Sequence, residues 1–319
     1  MGLSPAESAA CAGVLGLLFG SFLNVVVYRM PVLMYRQWLA EAVGSLTPPA
    51  GGAPLWSLVF GHQARTPAPL EVAAAAAAAQ VEALPPLTLS RPRSRCGACG
   101  HTLAWYENIP VASWLFLRGR CKACTTPISI RYPLVELATA GLFAVVGHRY
   151  GLTPVAALWA AFAAILVCQF LIDLDTQLLP DPLNYALLWL GLIGAAMGWT
   201  GVPLSAAVWG AVGGYASLWL VFHLYRLATG KEGMGYGDFK LLAALGAWFG
   251  ADYLLALILL SSLVGAVLGL LLLRIGKLAH KDIPISFGPF LAGAGLLCFL
   301  IGPETMRHWA PFAFPFGAR

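Results

Sequence analysis

The chain has 319 residues, of which 59% are hydrophobic and only 10% charged. A soluble domain carries about a quarter charged residues, so a surface facing mostly water is excluded and a lipid bilayer is the expected surrounding. The net charge of +5 comes from basic residues that form no stripe with interleaved aromatics, which argues against a nucleic-acid partner.

The first apolar run covers residues 8 to 28. Acidic rather than basic residues precede it and no small-residue cleavage site follows, so it is expected to be a retained span rather than a signal peptide. Further runs of near-bilayer length are expected at 134–150, 153–172, 183–199, 203–225, 238–249, 251–273 and 285–302. The predicted fold is therefore all-α, a polytopic membrane protein with about eight transmembrane helices. The run at 238–249 is short and passes almost directly into the next.

Orientation follows from Lys and Arg. Ten of the 19 lie between Arg29 and Arg131. Placing that loop in the cytoplasm, with the N-terminus outside, also puts Arg226, Lys231, Lys240, Arg274, Lys277 and Lys281 inside. Only Arg149, Arg307 and Arg319 fall outside. The expected location is the bacterial inner membrane, multi-pass, with a periplasmic N-terminus.

The expected division is a first transmembrane helix over 1–28, a cytoplasmic loop over 29–133, and a membrane core over 134–319. Within the loop, residues 45–90 are rich in Ala, Pro and Gly and include the run Ala73 to Ala79. They read as a weakly ordered insertion with a short Ala-rich helix. Residues 91–132 shift to Cys, Arg, Trp and Asn and read as a small folded module.

That module carries four of the seven cysteines, as Cys96-Gly-Ala-Cys99 and Cys121-Lys-Ala-Cys124, separated by 21 residues. Each pair can bite one side of a tetrahedral ion. The reducing cytoplasm disfavours structural disulfides, and Arg95, Arg120 and Lys122 favour thiolates. Zinc suits four thiolates best. A closed four-cysteine site has no open position, so its role would be to hold a short loop folded. Cys11, Cys168 and Cys298 lie singly in apolar runs and read as small packed hydrophobes.

Acids at membrane edges are costly and tend to mark function. The third span ends Asp173-Leu-Asp175, with Asp181 shortly after, and the sixth begins Gly235-Tyr-Gly237-Asp238. In the threaded topology all reach the cytoplasmic edge. Two neighbouring carboxylates share a proton, so one can act as base on a water while the other acts as acid to a carbonyl. Helix capping accounts for Asp238 as well, Asp181 after Pro180 reads as the cap of the next helix, and the pattern does not choose Asp173 over Asp175.

Motifs in order then resemble a family. The first span carries Gly20-Ser-Phe-Leu-Asn24-Val and Tyr28-Arg29-Met-Pro31. The loop carries Arg93-Ser-Arg-Cys96-Gly-Ala-Cys99, Glu107-Asn108-Ile-Pro110, Ser113-Trp114, Cys121-Lys-Ala-Cys124 and Ile128-Ser-Ile-Arg131-Tyr-Pro133, and Glu136 comes next. Asp173-Leu-Asp175, Leu179-Pro180-Asp181 and Gly235-Tyr-Gly237-Asp238-Phe-Lys240 complete the set. The chain resembles the bacterial type IV prepilin peptidases, the leader peptidase/N-methyltransferases of type IV pilus and type II secretion systems. The resemblance implies a membrane aspartyl protease of the GxGD type with Asp173 and Asp238 as its catalytic pair. It implies prepilin and pseudopilin substrates, cut at the cytoplasmic face after a leader-terminal glycine. It also implies methylation of the new N-terminal residue, usually Phe, from S-adenosylmethionine. No dinucleotide-type glycine loop supports the methyl-donor site independently. The 45–90 insertion is longer than the connection usual in this family. A transporter would show an inverted repeat of spans, and none is visible.

Overall fold

The computed structural model describes residues 3–46, 55–61, 63–274 and 286–314. Lys277, Lys281 and Arg319, which enter the charge distribution, lie outside the described residues, as does the first residue of the run expected at 285–302. The described residues are helical, with no strand and only two isolated bridges, Arg95 to Thr102 and Arg120 to Pro127. They divide into two compact units, one of Met1–Val27 with Ala104–Arg319 and one of Tyr28–Leu103.

Helix α1 runs Pro5–Leu46, far past the expected end at residue 28. Strong helix formers after the apolar run, among them Arg36, Gln37 and Glu41, let the helix continue, and Pro31 is accommodated inside it. In the smaller unit lie α2 (Leu55–Phe60) and α3 (Ala68–Glu82). The alanine run lies wholly inside α3, as alanine's low helix cost predicts. Arg29 has a more specific role than a charge anchor. Its guanidinium donates to the carbonyls of Thr88 (2.9 Å), Leu89 (3.3 Å) and Pro92 (2.7 Å).

The larger unit contains α4 (Ala112–Phe116), α5 (Arg131–Tyr150), α6 (Pro154–Thr176), α7 (Asp181–Ala196), α8 (Leu204–Thr229), α9 (Tyr236–Phe249), α10 (Leu254–Arg274), α11 (Gly288–Ile301) and α12 (Pro303–Trp309). Helices stand at all eight places where spans were expected. Four, namely α1, α6, α8 and the 251–271 stretch containing α10, are long and apolar enough to cross a membrane. The other four fall short for different reasons. Helix α5 carries Arg131, Glu136 and Arg149, while α7, α9 and α11 have only 16, 14 and 14 residues.

Helix α9 is the centre of this unit. At 1.5 Å per residue it reaches about 21 Å, less than the ~30 Å hydrocarbon thickness. From Asp238 to Phe249 every residue except Lys240 is buried. A helix apolar on all sides belongs inside other helices, and α9 packs against α7, α8 and α11. Trp248 contacts Trp159 and Phe162 with ring centroids 4.9 and 4.6 Å apart, and its indole N–H donates to the Leu187 carbonyl at 2.8 Å. Outward faces of α8 and α10 expose Trp209, Leu227, Leu263 and Leu270, the pattern expected where lipid rather than water is the neighbour.

Small residues let the backbones approach. A Cβ on Gly246 of α9 would strike the Gly210 carbonyl of α8, and the reverse holds too. Gly246→Val is therefore expected to destabilise the protein by about 3 kcal/mol or more, read as a fall in thermal midpoint in detergent. On the other side, Gly16 and Gly20 of α1 come against the backbone of α5 at Ala140 and Glu136, each 2.7 Å from a built Cβ. Asn24 donates to the carbonyls of Gly20 within α1 (3.2 Å) and of Tyr132 on α5 (3.3 Å), the second an interhelical bond. Cys168 and Cys298 are buried as small hydrophobes, whereas Cys11 is exposed.

Candidate active site

Helix α6 starts on a Thr153 cap followed by Pro154 and ends at Gln177 in the left-handed conformation, φ 56°. Asp173 lies in its last full turn, on the inner face, and is 2% exposed. Its Oδ2 accepts from the Ser286 hydroxyl and its carboxylate accepts from the Gly288 backbone N–H at the head of α11. Helix α9 begins on extended Gly235, so Asp238 is the third helical residue and not the cap itself. Its Oδ2 accepts the Gly235 N–H at 3.2 Å. Its Oδ1 is buried with no hydrogen-bond partner among the described residues. Asp238 is 7% exposed.

The two acids share one locality. Each carboxylate lies within electrostatic reach of the other. Leu179, between α6 and α7, bridges their supports: a Cβ on Gly237 would lie 2.7 Å from the Leu179 Cβ, and one on Gly288 would lie 2.9 Å from its Cδ1. A Cβ on Gly288 would also strike Asp173 Oδ2. Glycine at both positions thus leaves room for the carboxylates.

The rival acids stand elsewhere. Asp175 projects outward and takes a two-point bond from Arg131 of α5, both contacts at 2.7 Å. Asp181 does not cap α7, because Pro180 holds the cap position and no side-chain capping bond forms. Asp181 instead takes the Lys240 ammonium at 2.6 and 2.7 Å. Lys240 thus pairs with Asp181 and not with Asp238, two residues away in the chain. Sequence reasoning missed Ser286 and Gly288 because the 285–302 run reads as apolar. The one visible signal is the polar, turn-prone Ser286-Phe-Gly-Pro289 at its head.

Each cysteine pair forms a tight knuckle. Cys96 N–H donates to the His101 carbonyl (2.8 Å) and Gly100 N–H to the Cys96 carbonyl (2.9 Å). Cys121 and Thr125 repeat the pattern with Thr126 and Cys121, both at 2.9 Å. Within each pair the two Sγ atoms lie within 4.8 Å of each other, the bite a single ion needs. Four thiols in two such bites are a donor set able to hold a metal ion. Lys122 donates to the Tyr106 hydroxyl at 3.0 Å beside Glu107 at 3.8 Å. Trp114 is half-buried, with its N–H on the Ile128 carbonyl at 3.1 Å, while Trp105 is exposed.

The model of the bacterial peptidase A24 N-terminal domain matches residues 14–150, and that of the type IV leader peptidase family matches residues 137–270. A prepilin leader peptidase/N-methyltransferase of Stutzerimonas stutzeri is 46% identical over 97% of this chain and 96% of its own length. The chain belongs to the type IV leader peptidase family. Other members with the same description come from Pseudomonas aeruginosa, 45% identical over 97% of this chain and 96% of that one, and Neisseria gonorrhoeae, 42% over 93% and 91%. No solved structure matches. Within this leader peptidase, the buried acids and the cysteine knuckles fall inside the matched segments.

Proposed function

We propose that this chain is a membrane aspartyl endopeptidase that removes the leader of type IV prepilins and type II secretion pseudopilins, then N-methylates the new terminal residue, usually Phe. Its catalytic pair is Asp173 and Asp238. The observation that carries this assignment is selective burial: these two acids share a buried locality, while Asp175 and Asp181 are ion-paired nearer the surface. One carboxylate, ionised, removes a proton from water, whose oxygen bonds to the scissile carbonyl carbon. The other, protonated, gives its proton to the carbonyl oxygen. Collapse breaks the C–N bond, and the departing amine takes the proton that the base received. The orphaned Asp238 Oδ1 supports this use, since a buried acceptor without a partner is costly unless water or substrate meets it. Ser286 and Gly288 would hold Asp173 in place throughout.

S-adenosylmethionine, when bound, supplies the methyl group for the second activity. Cys96, Cys99, Cys121 and Cys124 hold one structural zinc ion, a reading supported by the matching knuckles and the all-thiolate chemistry. Cys121→Ser is expected to lower bound zinc from one equivalent to none, measured by elemental analysis of the purified protein. The same change should speed trypsin cutting at Arg118 and Arg120. The parts are a first transmembrane segment (1–28), a cytoplasmic region (29–133) that starts with the continuation of α1 and holds the insertion (45–90) and zinc module (91–132), and the protease core (134–319). The protein sits in the inner membrane with a periplasmic N-terminus and the acids at the cytoplasmic face, as the Lys and Arg distribution supports. Co-expression with a prepilin in a host lacking its own leader peptidase tests the reading. Loss of the leader on an immunoblot is expected, and an uncut prepilin beside well-expressed protein would contradict it.

A further inference from the structure

Three sequence motifs that the aspartate pair does not use meet at one buried acid. Glu136, in the second turn of α5, is 7% exposed. Its Oε2 accepts the backbone N–H of Val111 at 2.7 Å. The Ser21 hydroxyl of α1 bonds to the same carboxylate, and Gly20 lies against the Glu136 backbone. So the first-span motif, the Glu107-Asn-Ile-Pro110 segment and the Arg131-to-Glu136 segment converge here.

Val111 is the unusual partner. Its φ of 59° and ψ of −50° place a β-branched residue where L side chains are rarely found. The Ala112 N–H returns to the Pro110 carbonyl at 2.5 Å, making the rare, strained form of the γ-turn around Val111. Such backbone persists only when its surroundings hold it. A hydrogen bond from a backbone N–H to a buried carboxylate is a strong way to do so.

The turn sets the course of the chain beyond it. Helix α4 starts on Val111, the Ser113 N–H bonds back to Ile109 at 3.1 Å, and Trp114 reaches the Ile128 carbonyl across the Cys121–Cys124 knuckle. Trp114 also closes over Gly119, 2.9 Å from a built Cβ. Besides the chain's own entry into α5, the Val111 bond ties the segment carrying Cys121 and Cys124 to Glu136, where α1 and α5 meet. Ser286, Gly288 and Gly235, which bond to Asp173 and Asp238, all lie outside this segment.

We infer that Glu136 is a positioning residue for methyl transfer, acting through Val111 to fix the Ala104–Ile130 segment, and not a participant in peptide cleavage. This rests on the methyltransferase reading given above. In that reaction the amine nitrogen gains the methyl group, the sulfonium becomes a thioether, and the amine proton passes to solvent. Glu136 contributes an acceptor oxygen to the backbone and exchanges no atom.

The test uses the full-length protein in lipid nanodiscs with a prepilin and S-adenosylmethionine. Leader removal and methylation are measured separately. Glu136→Leu is expected to lower kcat/KM for the methyl donor about tenfold to a hundredfold, the equivalent of one lost charge-assisted bond. Leader removal should stay within about threefold of wild type. Glu136→Gln keeps an acceptor oxygen, so methylation should remain within about threefold. Val111→Gly frees the turn from side-chain strain, so adding it to Glu136→Leu should restore methylation at least about fivefold. Hydrogen exchange should rise over residues 105–116 in Glu136→Leu and not over α6 or α9. Equal loss of both activities in Glu136→Leu, or loss in Glu136→Gln as deep as in Glu136→Leu, would overturn the assignment. So would unaltered methylation in Glu136→Leu. A wild-type protein that cuts but never methylates would overturn the methyltransferase reading itself, and the inference with it, a result separable from all of these.

Discussion

Asp173→Asn and Asp238→Asn each lower prepilin cleavage at least about 10³-fold, the scale of losing a positioned acid or base, while the protein remains folded. Asn preserves size and can keep the bonds from Ser286 and Gly288, or from Gly235. What it cannot do is take or give the proton. Because the two acids act as one unit, the double variant should be little worse than either single one. Asp175→Asn is the control. It loses only the half-exposed pair with Arg131, worth about 0–1 kcal/mol, and cleavage should stay close to wild type. Initial rates from a gel-shift assay of prepilin, at matched monodispersity on size exclusion, decide the matter. A strong loss in Asp175→Asn with near-normal Asp173→Asn would reassign the acid on α6.

Gly288→Ala should also be severe, though it removes no functional group. A Cβ there collides with Asp173 Oδ2 and crowds Leu179. The backbone of α11 cannot retreat freely, because Gly295 one face along already packs on Leu245 and Leu166. The carboxylate must therefore swing, and a displacement near 1 Å at a catalytic group costs about 10²-fold in rate. The expected signature is a fall in kcat with KM for prepilin little changed, since substrate binding surfaces remain. A change in KM alone would place Gly288 in substrate binding instead of in support of Asp173.

Much of this architecture was legible from composition. The places of the helices followed from apolar runs, and the cysteine spacing gave both knuckles. Other features were not legible, the first two because the partner is far away in sequence. Without the family resemblance, nothing local sets Asp175 and Asp181 apart from Asp173, because their partners are Arg131, 44 residues from the first, and Lys240, 59 from the second. Ser286 is 113 residues from the acid it meets. The strain at Val111 cannot be read from a valine flanked by Pro110 and Ala112, since nothing local favours a positive φ there. Helix α1 outruns its apolar stretch because helix propensity continues where hydropathy falls. The central burial of α9 was hidden for another reason: an apolar run reads the same whether lipid or other helices surround it.

In the proposed function one chain performs two successive reactions on one substrate end. Purified protein should be incubated with a prepilin and S-adenosylmethionine, and the product analysed by intact mass and N-terminal sequencing. The expected result is a single new terminus directly after the leader glycine, carrying the added mass of one methyl group, and neither change with Asp173→Asn. A prepilin methylated while uncut, or cut at scattered positions, would contradict it.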